Sequence, residues 1–229
     1  VTTLAALQPG YLPWVGYFDL IRRADIFVSY DHVQFDKHGW RNRNRIKCAH
    51  GVQWLTVPVR HRGLGPQRLL DVRIDDTRAW ARKHVTSLQQ CYASARYADD
   101  YLPALADVLL QPWQSLVELD LAVAGLMCGW LGLDERVVRS SELELCGNRS
   151  ERLLDLCHRF GATRYLSGDS AKAYLDVELF AAAGVSVEWQ AYAFPTYPQH
   201  HGEFEPYLSA IDLIFNCGPD SAAVLSGGT

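Results

Sequence analysis

Short apolar runs alternate with amphipathic stretches along most of this chain, in the manner of an α/β protein. Residues Thr3–Leu7 make an apolar run that stops at Gln8-Pro9-Gly10, a turn sequence, and predict a buried strand. Over residues 14–24, Trp14, Tyr17, Phe18 and Ile21 recur at helical spacing, and residues 25–30 (DIFVSY) have strand composition. Strand, helix and strand in that order predict a β-α-β unit, with Asp31 at the carboxyl end of its second strand. The same reading predicts strands over 53–59 (Pro58 marking an edge), 69–74, 136–140, 163–166 and 185–190. It predicts helices over 77–92, 101–110 (with Pro103 in the first turn), 112–131, 149–160 and 171–183. Asn148 followed three residues later by Glu151 reads as a capping box for the helix at 149–160.

No internal repeat or low-complexity linker interrupts this succession. The expectation is one compact α/β domain over 1–229, with a central, mostly parallel sheet flanked by helices. Within it, residues 1–140 form one half and 141–229 a second half that closes the site. Sheets of this kind bind ligands outside the carboxyl ends of their strands.

Composition narrows the function classes. The 229 residues are 48% hydrophobic and 21% charged, as in a folded globular chain, and the net charge of −4 exerts no general attraction for nucleic acid or anionic membranes. No apolar run reaches the roughly 18–20 residues that cross a bilayer. The start, VTTLAALQPGYL, lacks the basic and hydrophobic regions of a signal peptide, so a cytoplasmic location is expected. Six cysteines, at 48, 91, 128, 146, 157 and 217, are widely and irregularly spaced. With no CxxC pair no zinc site is expected, a chain of this size without a signal peptide predicts no disulfides, and most of the six are expected as small buried hydrophobes.

Charge is uneven. Residues 37–70 contain no Asp or Glu but hold eight Lys and Arg, which leaves −12 for the remainder of a chain whose total is −4. A local positive surface on an acidic body suits an anionic ligand, whereas a solvated face is the plainer reading.

Candidate chemistry concentrates in residues 8–47. Gln8, Tyr11, Trp14 and Tyr17 surround a turn leading into a helix whose free N–H groups favour an anion. Gly16 permits close approach of a ligand or of other backbone. The layout is similar to that of HIGH-type nucleotidyltransferases, with Gly16-Tyr17 where those have Gly-His. A nucleotide site is one reading and an aromatic-packed helix start the other. In an extended 31–37 segment, Asp31 and Lys37 share a face opposite His32, Gln34 and Asp36. Asp31 suits a general base or an amine-orienting carboxylate and Lys37 an anion contact, whereas a surface Asp–Lys pair would contribute little. Trp40, Asn42, Arg43 and Lys47 follow. Repeated Asn in an extended segment calls for a hydrogen-bonding reason, and Arg43 offers a planar fork for carboxylate or phosphate. The basic patch is short and the chain acidic, which disfavours nucleic acid.

Three later features add to these. Ser167-Gly168-Asp169-Ser170 joins a strand end to a helix start, either as an anion cradle without the full P-loop pattern or as a plain cap. Gln199 and His201 lie in a run whose adjacent histidines would point to opposite faces of a strand, so no metal is expected there. His201 backed by Asp212 reads as an acid–base pair. Asn216 adjoins Cys217, which is a nucleophile paired with His201 on one reading and an inert buried thiol on the other.

Nearly the whole chain resembles the WbqC-like protein family. The matching runs are QPGYLPWVGYFDLIRRADIFVSYDHVQFDKHGWRNRNRIK, WLTVPV, YLSGDSAKAYLD and YPQHHGEFEPYLSAIDLIFNCGP. Members occur with bacterial O-antigen and specialised-metabolite pathways, and a glycine-transferring role has been suggested. The resemblance therefore implies transfer of a small acyl or aminoacyl group to an amine. By motif it marks Gln8, Tyr11, Trp14, Gly16, Tyr17, Asp31, Gln34, Lys37, Trp40, Asn42, Arg43 and Lys47. From the later runs it marks Ser167, Gly168, Tyr174, Tyr197, Gln199, His201, Ser209, Asp212 and Asn216. Cys48 and Cys91 fall where the family pattern has no cysteine, which leaves Cys217 as the thiol candidate.

The expectation is an amide-forming transferase acting on a small-molecule or glycan amine. Asp31, or His201 with Asp212, would take the proton; Lys37, Arg43 and Lys47 would hold an anionic donor; Gln8, Gln34, Asn42 and Gln199 would orient the acceptor. A carrier-protein thioester is one donor, docked by the basic stretch. Nucleotide-dependent adenylyl transfer and a non-catalytic binding module are the rival functions.

Overall fold

The computed structural model describes residues 1–37, 39–133 and 137–227. Strand β1 (Thr3–Leu7) is followed by helix α1 (Val15–Arg23) and strand β2 (Ile26–Ser29), which pairs parallel to β1 with Leu4 opposite Ile26 and Leu7 opposite Ser29. An antiparallel hairpin, β3 (Arg43–Cys48) and β4 (Gly51–Thr56), stands apart as its own two-stranded sheet. Three helices come next: α2 (Trp80–Cys91), α3 (Ala98–Leu109) and α4 (Leu116–Trp130). Strand β5 (Val137–Arg139), helix α5 (Ser150–Arg159), strand β6 (Arg164–Ser167), helix α6 (Val177–Ala182) and strand β7 (Ser186–Trp189) complete the α/β succession, and α7 (Ala210–Cys217) and α8 (Ser221–Leu225) close the chain.

The main sheet runs β5-β2-β1-β6-β7 and every pairing in it is parallel. The chain moves outward from β1 in both directions, so the carboxyl ends of β2 and β6 flank that of β1, the usual place for a ligand. Alternation along the strands supplies both faces. Ala5, Phe27 and Leu166 join the large core with α1, α4 and α7, while Leu4, Val28 and Tyr165 pack with Leu156, Cys157 and Phe180 of α5 and α6. The expected central parallel sheet flanked by helices is therefore the observed architecture.

Several local expectations differ from the structure. Residues 69–74 form a short 3-10 turn, Leu69–Asp71, because the Leu69 and Leu70 amides bond the Val33 and Asp31 carbonyls instead of a ladder. The predicted helix at 171–183 divides into a 3-10 turn, Asp169–Ala173, and α6, restarted by Asp176, whose carboxylate accepts from the Leu179 amide. Pro103 lies inside α3, since that helix begins at Ala98 with Asp99 and Asp100 in its first turn. The predicted strand at 136–140 is seen as Val137–Arg139, and Arg136 lies outside the described residues.

The cysteine expectation needs one correction. Cys48 and Cys91 form a disulfide, S–S 2.00 Å and Cα–Cα 4.5 Å, across 43 residues of sequence. The last residue of β3 packs against the last residue of α2, a proximity that spacing alone does not reveal. Cys128, Cys157 and Cys217 are buried, and Cys146 is exposed.

Candidate functional site

At the carboxyl edge of the sheet, the ends of β2 and β5 meet around Asp31. Its carboxylate is fully buried and accepts from four donors: Arg139 Nε at 3.0 Å, Ser140 Oγ at 3.0 Å, the Ser141 amide at 2.9 Å and Ser141 Oγ at 2.8 Å. Burial alone would raise its pKa, but the bonds from Ser141, Arg139 and Ser140 outweigh burial and hold the carboxyl below its usual range. Asp31 is thus an ionised, saturated carboxylate that ties two strand ends together.

His32, next in sequence, lies at the half-buried rim of this network. Its Nδ1 is 2.7 Å from Ser140 Oγ and its Nε2 is 3.2 Å from Arg152 Nη1. A guanidinium only donates, so Nε2 accepts and Nδ1 carries the proton, which it gives to Ser140 Oγ. Ser140 in turn donates to Asp31. Burial, helped by the Arg152 charge, lowers the His32 pKa and keeps the ring neutral at pH 7. Tyr30 packs edge-on to His32 at 4.9 Å. The Ser140 hydroxyl is turned to Asp31 rather than to the imidazole, so Ser, His and Asp here form an orienting chain and not a serine-nucleophile triad.

On the far side of β1, the end of β6 brings Ser167 and Tyr165, both buried. Tyr174 stands exposed beside them, and the space over Gly168 is open. Lys172 is paired with Asp169 at 2.5 Å and lies over the Trp189 ring.

A second group of sequence-predicted residues gathers elsewhere, against the hairpin. Asp212 on α7 accepts from Tyr92 Oη at 2.9 Å and Tyr197 Oη at 3.0 Å. Burial raises its pKa, opposed by those phenols and by Lys47 and Gln199 nearby. Lys47 is buried and donates to Gln199 Oε1 at 3.1 Å and to the Glu203 carbonyl. Asn216 Nδ2 bonds the Asp212 carbonyl at 2.7 Å. His201 does not back onto Asp212; its Nε2 donates to the Cys91 carbonyl at 2.9 Å. Cys217 is buried, and its thiol is pushed up to about 11 by burial together with Asp212 and Asp220, so it stays protonated at neutral pH.

The N-terminal motif mostly builds structure. Tyr11 is buried with its hydroxyl 2.9 Å from His84 Nδ1. Tyr17 is buried with its hydroxyl unpartnered. Trp14 stacks on Phe194 and folds over Gly16, where a β-carbon would lie 2.1 Å from the indole. Gly16 therefore makes room for Trp14. At the start of α1, Trp14 bridges to Ser209 and the Ala210 amide bonds the Pro13 carbonyl, so the end of the chain packs against this turn. The carbonyl of Gln8 accepts from Arg41. Asn42 and Asn44 bond the Val57 and Leu12 carbonyls, the hydrogen-bonding reason their repetition called for.

The basic stretch is similarly engaged. Arg43 stacks on Trp54 at 4.6 Å, and Arg45 lies over Trp40 while bonding the Pro206 and Tyr207 carbonyls. Arg60 and Arg68 pair with Asp76 and Asp71. Gln34 and Lys37 are exposed.

The structure thus divides the predicted residues between the carboxyl edge (Asp31, Ser167) and the hairpin side (Lys47, Gln199, His201, Asp212, Asn216, Cys217). His32, Arg139, Ser140, Ser141 and Arg152 complete the edge site. The Ser-Ser pair following the strand at β5 was a usable signal for the polar strand end, whereas Arg152 reads in sequence as an ordinary helix-surface arginine.

The WbqC-like protein family model matches residues 8–224. The uncharacterized protein Rv1507c of Mycobacterium tuberculosis is 39% identical over 220 residues, covering 95% of this chain and 95% of that protein. No solved structure matches the chain.

Proposed function

The chain belongs to the WbqC-like protein family, and we propose that it is a transferase that forms an amide by moving a small acyl or aminoacyl group, glycyl among them, onto an amine. The reading places the chemistry at the carboxyl edge, and the observation that carries it is the Arg152–His32–Ser140–Asp31 chain. A neutral imidazole with a fixed tautomer, held at the mouth of a parallel sheet, suits proton removal from a bound ammonium or attacking amine.

In this reading Arg152 guards His32 Nε2. An anionic group of the substrate competes for the guanidinium, and Nε2 is then free to take the amine proton. The amine nitrogen forms its bond to the acyl carbon, the bond to the donor's leaving sulfur breaks, and that thiolate is reprotonated. Asp31 is a positioning residue that stabilises the imidazolium through Ser140. The hairpin face bearing Trp40, Trp54, Arg43 and Arg45 suits an acidic carrier protein as donor.

The experiment is amide formation followed by mass spectrometry with acyl and aminoacyl thioesters and an amine panel. Product should form with wild type and fall by about 10²–10⁴ in His32→Gln. Undiminished product in that variant overturns the assignment of His32, and no product from any pair overturns the transferase.

A further inference from the structure

Beside the edge site lies a cavity of about 230 Å³ between α1, α4 and β5. Ile21, Leu121, Ala124 and Val137 are among its walls, and Gly125 lines it from α4. Two polar groups border it. Tyr17 contributes a buried hydroxyl with no hydrogen-bond partner. Arg139 is the other, and through its Nε bond to Asp31 it joins the cavity to the edge site. Arg139 Nη1 bonds Glu118 at 2.7 Å, while Nη2 has no acceptor among the described residues.

We infer that this cavity receives the donor's short, uncharged acyl chain, about six carbons long, with its carbonyl oxygen on Arg139 Nη2. Size supports the length: an apolar cavity of about 150 Å³ is known to hold benzene, so this one accommodates about six to eight non-hydrogen atoms. Charge supports neutrality: Arg139 already faces two carboxylates, Asp31 and Glu118, so a free carboxylate would meet net negative charge. The walls would clothe the chain, and the unpartnered Tyr17 hydroxyl would accommodate a polar chain end. This inference rests on the acyl-transfer reading and extends it to a class of donor.

The test is an amide NMR titration of the full chain with hexanamide as probe, alongside hexanoate. Hexanamide should shift the amides of residues 121–128 and bind more tightly than hexanoate. Gly125→Leu fills the cavity with a better helix former, so the variant should stay folded and bind hexanamide at least about tenfold more weakly, a loss of about 1.4 kcal/mol. Tyr17→Phe should retain hexanamide and lose any preference for a chain ending in a hydroxyl. Hexanamide leaving those amides unmoved, binding Gly125→Leu equally, or binding less tightly than hexanoate overturns the inference. Transfer activity without hexanamide binding would sink the cavity assignment alone; binding without transfer from any donor would sink the transferase alone.

Discussion

Asp31 and Asp120 are both fully buried aspartates, one at a strand end and one inside α4, and their surroundings drive them to opposite charge states. Asp31 accepts four hydrogen bonds and stays ionised. Both oxygens of Asp120 lack a partner, and burial, only partly offset by Arg41, raises its pKa well above the ordinary value. Burial is common to the pair, so the donors decide the outcome. A sheet edge, with loop amides and hydroxyls pointing outward, supplies donors readily; a helix interior has already paired its amides.

Asp31→Ala should have the largest effect. It leaves Arg139 without its buried partner and should lower stability by about 3–5 kcal/mol in urea denaturation. A loss under about 1 kcal/mol would show the network to be passive.

Removing the disulfide acts on neither aspartate. Cys48→Ser with Cys91→Ser should cost about 2–4 kcal/mol and leave the effect of Asp31→Ala unchanged, since the staple joins the hairpin to α2. A coupled double mutant would mean that the two regions fold as one network.

Asp120→Asn should move stability the other way, a gain of about 1–3 kcal/mol at neutral pH. The sign follows from linkage. The folded state holds the Asp120 proton more tightly than the unfolded chain, so the wild type loses stability as pH rises from the unfolded carboxyl pKa toward the folded one. The gain from Asn should therefore shrink as pH falls toward 4. Asp31 does the reverse: its lowered folded pKa stabilises above the unfolded value and fades as pH falls through the folded one. Urea midpoints of wild type and both variants across pH would display the two slopes.

Tyr17→Phe is the smallest change. The hydroxyl has no partner to lose, so stability should stay within about 0.5 kcal/mol or rise slightly. A thermal melt showing a larger loss would mean that water or ligand holds that oxygen.

The sheet was legible because its strands are short apolar runs ended by Gly, Pro or Ser, and the period of α1 is unmistakable in Trp14, Tyr17, Phe18 and Ile21. Asp31 was legible as a strand-end carboxylate, but its saturation was not, because Arg139, Ser140 and Ser141 arrive more than a hundred residues later. Lys47 alternates with Arg43 and Arg45 along β3, yet it is buried because the distant 199–205 segment covers it. Pattern reveals which residues share an element; which element covers another depends on tertiary packing. The aromatic and polar richness of residues 8–47 signalled a lined pocket, and much of it serves instead to close α1 and pin the hairpin.

If chemistry belongs to the carboxyl edge and not to the hairpin side, the rate of amide formation in His32→Gln beside His201→Gln separates the two regions. The first should fall by about 10²–10⁴ and the second should keep a near wild-type rate. A full rate in His32→Gln together with loss in His201→Gln would contradict that placement.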